Sequence, residues 1–231
     1  MASTRRLKNK ADYHLQRSVH GLQNGNPAAA LSHSDEQLKL LARLRKAEPE
    51  EDEHLRMEAS AYYNRAGILD QLGRVAQAVE AARGALERYT SLAAHAVIEQ
   101  PQLDVVWSPA AKREQMTTTL FTADVQARLA RLIAKNGGSE AEARVLGESA
   151  LATYEWAAKA YPVHASELER IFIQVATARD TIARAHLAAE DLSGAIARWD
   201  ELLAECVDRL GTSHPVTINV RGALEAARRL A

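Results

Sequence analysis

The chain has 231 residues and a formal net charge of −1; 47% of it is hydrophobic, 26% charged and 5% aromatic. So balanced a charge excludes a global attraction to nucleic acid or an anionic membrane. With so few aromatic residues, alanine and leucine must supply most of the core, and both favour helix.

One cysteine, Cys206, leaves no internal disulfide and points to a reducing compartment. No apolar run reaches the roughly twenty residues of a membrane span. The opening MASTRRLKNKADYHL has no apolar segment of the secretory kind. A soluble cytoplasmic protein is expected, with no nucleic-acid and no membrane partner.

The first predicted helix runs from about Lys8 to Gln23. The basic cluster before and within it, Arg5, Arg6, Lys8 and Lys10, has no interleaved aromatic until Tyr13 and reads as a frayed, solvated terminus. A turn at Gly25-Asn26 follows. Beyond it Pro27, Ala30, Leu31, Ser34, Gln37, Leu38 and Leu41 share one helical face, with Ser34 and Gln37 as polar departures. The acidic run EPEEDEH then starts a further helix, from Asp52 to Leu72, because carboxylates favour a helix N-terminus.

After Leu72-Gly73 the face returns as Val75, Ala78, Val79, Ala82, Ala85, Leu86 and Tyr89. The segment VIEQPQLDVVWSPAA interrupts the pattern; Pro101 and Pro109 break helix there. An ordered insertion or extended loop is expected at about 97–111, partly buried through Val105, Val106 and Trp107. A helix from Ala111 to Lys135 comes next, then Gly137-Gly138. In the segment beyond, Ala143, Gly147, Ala150, Leu151 and Tyr154 fit the stripe, while Glu140 and Arg144 break it.

The last long helix before a turn spans Ser166 to Ala189, with Glu190-Asp191 after it. Leu192, Ala195, Ile196, Trp199, Leu202, Leu203 and Cys206 repeat the offsets of the second copy. Each unit is thus a helix, a tight turn and a helix. Glycine suits such a turn because it adopts positive φ at little steric cost. Ala30, Ala78, Ala143 and Ala195 hold one place because paired helices need a small residue where their backbones approach. At the C-terminus Gly211 can end a helix, Ser213 can cap the next, and Pro215 fits a first turn.

These turns, alanines and later apolar positions resemble the tetratricopeptide (TPR) repeat, best in YYNRAGILDQLGRVAQAVEAARGAL and ARAHLAAEDLSGAIARWDELL. Leu210, Gly211, His214, Pro215 and Thr217 resemble the long repeats of the kinesin-light-chain type, common in bacterial regulatory proteins. The resemblance implies an all-α helical-hairpin solenoid. About four hairpins and a C-terminal capping helix would form a single domain over residues 1–231.

It also implies a concave groove lined by the first helix of each hairpin. Groove candidates are Tyr63, Asn64, Asp70 and Gln71 in the second unit, and Arg128, Lys135, Asp180 and Arg184 in the third and fourth. Asn64 stands where chaperone-binding members grip a peptide's terminal carboxylate. The other places of that clamp hold Leu15, Val19, Val125 and Leu129, so carboxylate capture is not expected. An asparagine amide can still pair with an extended peptide, or bond a neighbouring helix. Asp180 and Arg184 suit either a mixed-charge groove or an interhelical ion pair.

No catalytic motif accompanies the repeats: there is no G-x-S-x-G, no phosphate loop and no G-x-G-x-x-G. Cys206 lies on an apolar stripe and reads as a small hydrophobe. Glu51 and His54 have the E-x-x-H spacing of di-metal bundles, which need a second such motif. His95 with Glu99 and His186 with Glu190 have no third ligand nearby in sequence. The expectation is a non-enzymatic adaptor without cofactor or metal, binding a peptide or partner helix of another protein. The alternative is a peptide- or small-molecule-sensing regulator acting through a separate output partner. Self-association through an edge helix is a further expectation.

Overall fold

The computed structural model describes residues 2–98, 109–160 and 164–231. Among them are nine helices and no strand: α1 (Ala2–Gln23), α2 (Pro27–Ala47), α3 (Asp52–Gln71), α4 (Val75–Ile98), α5 (Pro109–Lys135), α6 (Glu140–Ala160), α7 (Ala165–Ala188), α8 (Leu192–Leu210) and α9 (Pro215–Arg228). The architecture is an all-α helical repeat, as the spacing predicts. The chain forms two compact units, Met1–Val125 and Gln126–Ala231, divided within α5.

The four hairpin turns share one backbone geometry. Gly25, Gly73 and Gly137 have φ of 67°, 71° and 69°, and the fourth turn places Glu190 at 63°. The next amide in each case bonds back across the turn: Asn26 N to Gly21 O, Arg74 N to Leu69 O, Gly138 N to Ile133 O and Asp191 N to His186 O, at 2.8–2.9 Å. Such bonds satisfy carbonyls that a helix end would otherwise leave orphaned. At three of these turns the second helix then starts at a side-chain cap. Asn26 Oδ1 accepts from Ala29 N at 3.1 Å, Ser139 Oγ from Glu142 N at 3.2 Å and Asp191 Oδ1 from Gly194 N at 2.9 Å.

The alanines do what the hairpin requires. Ala30, Ala78 and Ala195 are fully buried and Ala143 nearly so. At the first hairpin a Cβ on Gly21 would lie 3.2 Å from the Ala30 Cβ, so the two backbones meet there. Ser34 and Gln37, polar on the predicted stripe, are also buried, which keeps the face continuous.

In the first unit Leu41 and Leu44 pack with Ala11 and Ala61. A second cluster joins Leu55, Ala59, Ala85, Tyr89, Leu92 and Val125. Tyr89 bonds Ser60 through its hydroxyl at 2.8 Å and stacks on Phe121. In the second unit Phe172, Trp199, Leu202 and Cys206 form the core, and α9 closes it with Val220, Leu224 and Ala227. Full burial of each larger aliphatic side chain contributes about 1.5–3 kcal/mol. Thr217 Oγ1 donates to the Cys206 carbonyl at 3.3 Å, which fixes α9 against α8.

Three local expectations change. Helix α1 begins at Ala2, so the basic cluster is helical; Lys8 Nζ pairs with Glu53 at 2.5 Å, tying α1 to the start of α3. The α9 cap is His214, whose Nδ1 accepts from Val216 N at 3.2 Å, not Ser213; Pro215 takes the first helical position. Helices α4 and α5 extend to Ile98 and from Pro109. The expected insertion, with Pro101, Val105, Val106 and Trp107, therefore falls outside the described residues, as does the pairing of His95 with Glu99.

Candidate functional site

The second unit carries an open cleft of about 840 Å³ between α6 and α8, floored by α7. Helix α6 contributes Ala143, Gly147 and Leu151 at successive turns of one face. Gly147 is dictated by packing: a Cβ there would meet Val175 Cγ1 at 3.2 Å. Val175, Ala178 and Ile182 of α7 make the floor, all of them buried. The rim is charged. Arg144 pairs with Glu148 at 3.5 Å, and Arg179 reaches Glu205 at 2.7 Å and Glu201 at 3.9 Å. Arg144 and Glu148 are the exposed turns of α6, so the break in the predicted stripe at Arg144 marks one edge of the cleft.

A smaller cleft of about 320 Å³ in the first unit is lined by Tyr62, Arg65, Leu69, Arg74, Gln77, Glu80 and Ala81. When Ala78 is aligned with Ala195, Tyr62 falls on Arg179, Arg65 on Ile182, Ala81 on Arg198 and Arg88 on Glu205. The two clefts thus occupy equivalent places in the second and fourth hairpins. Their difference follows from the residues. In the first unit Arg65 of α3 pairs with Asp35 of α2. Arg88 lies 4.2 Å over the Tyr62 ring and pairs with Glu58 at 3.0 Å. Ile182 replaces Arg65 in the second unit, and that cleft stays open. Its volume lies within the range of about 300–1,000 Å³ usual for ligand sites.

A charged network stands at one end of the larger cleft. His186, in the last turn of α7, places Nε2 2.7 Å from Glu140 Oε2 and Nδ1 2.8 Å from Asp191 Oδ2. Arg198 also holds Glu140, with Nε at 2.8 Å and Nη2 at 2.7 Å from Oε1. The Glu140 hydrogen bond, then that to Asp191, holds the His186 imidazole above its ordinary value. Burial works to raise Glu140, but the bonds from His186 and Arg198 outweigh it and leave the carboxyl below its ordinary range. The Gly194 amide, then His186, lowers Asp191.

None of the predicted groove residues lines either cleft. Tyr63, Asn64, Asp70 and Gln71 belong to the first unit; Arg128, Lys135, Asp180 and Arg184 belong to the second. Tyr63 packs against the cluster around Tyr89. Asn64 and Asp70 are half-buried on α3, and Gln71 is exposed at its end. Arg128 is half-buried and Lys135 exposed on α5.

Asp180 accepts from Trp199 Nε1 of α8 at 2.8 Å and from Arg184 Nε at 2.9 Å; the ion pair with Arg184 lies one turn along α7 itself rather than between helices. At about 100° per residue, Asp180 and Arg184 are turned well away from Ala178 and Ile182. Of the clamp places, Val125 and Leu129 are buried.

Among the described residues no group of three or more His, Cys, Asp or Glu side chains stands together to hold a metal ion. The two carboxylates at His186 sit on opposite ring nitrogens and do not converge on one point. His54 is buried, with Nε2 3.6 Å from Glu48. Burial pushes the Cys206 thiol up to about 11, which disfavours the nucleophilic thiolate. No helix among the described residues is long and apolar enough to cross a membrane.

No protein-family model matches the chain, and no curated protein matches it. Solved structures do. Two crystal structures of the kinesin-light-chain nearly identical TPR-like repeats of Podosopora anserina match 99% of this chain and 88% of theirs. Both give a TM-score of 0.51, at 17% and 18% identity. A thermophilic TPR protein in Thermus thermophilus matches 93% of this chain and 99% of its own, at 16% identity and a TM-score of 0.34. With the shared turn geometry and the buried alanines, the likeness to the Podosopora repeats shows that this chain has the TPR-like helical-repeat fold.

Proposed function

We propose that the protein is a non-catalytic interaction scaffold that holds a peptide or partner helix of another protein, the partner seating in the cleft between α6 and α8. The observation that carries this reading is the cleft itself, with Val175, Ala178 and Ile182 as a largely buried apolar floor between charged rims. Such a trough accepts small apolar side chains, while Arg144, Glu148 and Glu201 can pair with the charges flanking them. The TPR-like fold supports the class of function, and the cleft supports its place. We put the partner here because Asp180 and Arg184, on the other face of α7, already bond Trp199 and each other.

The test is selection from a displayed library of helical and extended peptides on the intact chain, with Ala178→Arg as the counter-target. Arginine at position 178 would fill the floor with a charge. Peptides that bind the parent and lose affinity for the variant support the assignment. Peptides that bind both equally would place recognition elsewhere and overturn it. Ala178→Ser, small and neutral, keeps the floor open and controls for folding.

A further inference from the structure

We infer that His186 is a protonation-dependent clasp that ties the start of α6 to the α7–α8 hairpin and so sets the width of one end of the cleft. The functional meaning of the clasp rests on the peptide-binding reading above; its chemistry does not.

Both ring nitrogens of His186 face carboxylate oxygens, at 2.7 and 2.8 Å. A neutral imidazole carries one N–H and one lone pair, so it can donate to only one of them. Its other nitrogen would then confront a carboxylate oxygen with no proton between them. Only the imidazolium satisfies both contacts. Protonation is therefore what completes the bridge from Glu140 on α6 to Asp191 at the head of α8.

The charged groups facing the ring are Glu140 from α6 and Asp191 and Arg198 from α8. Arg198 opposes a second positive charge, but its guanidinium is itself bonded to Glu140. The two carboxylates prevail, and the imidazole is held above its ordinary 6.5. Each carboxylate keeps a second anchor: Glu140 has Arg198, and Asp191 has the Gly194 amide. Loss of the His186 proton therefore leaves one of its two carboxylate contacts without a donor, while Arg198 still holds Glu140 and the Gly194 amide still holds Asp191.

Glu140 and Arg198 both line the cleft, so this link sits at its edge. The equivalent residue of the second hairpin is Leu69, which cannot titrate.

The sign is fixed by the direction of the shift. A raised histidine stabilises the folded unit fully below pH 6.5, and that contribution is lost as pH rises through the raised value. Glu140 and Asp191 are lowered, so they remain ionised at and somewhat below 4.5 and 3.8. The clasp is complete in mildly acidic solution; in alkaline solution it keeps the Arg198–Glu140 pair and loses one of the two His186 contacts.

The experiment is an NMR titration of the His186 ring in the full chain, assigned by its absence in His186→Gln, together with amide exchange of residues 141–147. The expected midpoint lies above 6.5 and falls in Glu140→Gln. Across that midpoint the α6 amides should lose protection several-fold beyond the intrinsic pH dependence, with no such step in His186→Gln. A midpoint at or below 6.5, or α6 exchange that follows the intrinsic dependence through it, overturns the inference. No ligand enters these readouts, so a failed clasp leaves the peptide site standing, and a failed peptide selection leaves the titration standing.

Discussion

Glu190 holds a backbone conformation that its three counterparts reach as glycine, and Glu190→Gly is expected to stabilise the protein. At φ 63° an L-residue brings its Cβ close to a carbonyl oxygen, at a cost of about 1–2 kcal/mol. Glycine escapes that cost but loses more backbone freedom on folding, about 0.5–1 kcal/mol. The net gain is therefore about 0.5–1 kcal/mol. Charge hardly alters the sum. Glu190 follows the C-terminus of α7, where a carboxylate is unfavourable, and precedes the N-terminus of α8, where it is favourable. For a chain of this size about 1 kcal/mol moves the melting temperature by 2–4 °C. A rise of about 1–4 °C is expected, read by calorimetry and confirmed by urea unfolding of the same variant. The mirror experiment is Gly73→Ala at φ 71°, which is expected to cost about 1 kcal/mol or more. If Glu190→Gly lowers the midpoint, or if both substitutions leave it unchanged, the equivalence of the four turns is refuted.

Other substitutions probe the second unit. Trp199→Phe removes the N–H bonded to Asp180 and leaves a small void, so it is expected to cost about 1–3 kcal/mol by urea denaturation. Leu224→Ala on α9 is expected to cost about 2–5 kcal/mol, seen in the unfolding of residues 126–231 before those of the first unit. The Cys206 thiol should react with a disulfide reagent only as the second unit opens, so its rate should rise in parallel with Leu224→Ala destabilisation. A native thiol that reacts at the rate of the unfolded chain would contradict its burial.

The hairpins were readable because their signals are local. A glycine at positive φ and an alanine five or six residues later, where the helices touch, need no knowledge of distant chain. Helix ends were readable for the same reason: Asp52, Lys135 and the Glu190-Asp191 turn fall where the spacing puts them, within a residue of the observed bounds.

The site was hidden because it depends on which residues of three helices face a common space. Gly147, Ala178 and Ile182 look like ordinary stripe residues in sequence; only packing shows that they line one cleft. One signal was available. Glu140 and Arg144 break the third copy of the stripe, and both line the cleft. His186 was paired in sequence with Glu190, one turn away, whereas its partners are Asp191 beside it and Glu140 from a helix far upstream. Long-range partners of that kind leave no trace in periodicity.

Within each unit most helices that pack are neighbours in the chain: α1 with α2, α2 with α3 and α3 with α4, then α6 with α7, α7 with α8 and α8 with α9, with α7 also touching α9. Little loop entropy must be spent before a native interface forms, so assembly can begin at any adjacent pair and spread, on timescales of microseconds to milliseconds. The same locality divides the way the protein comes apart. A terminal pair can melt and reform while its neighbours hold, which gives proteases early access at the chain ends and leaves the middle of each unit the last to yield.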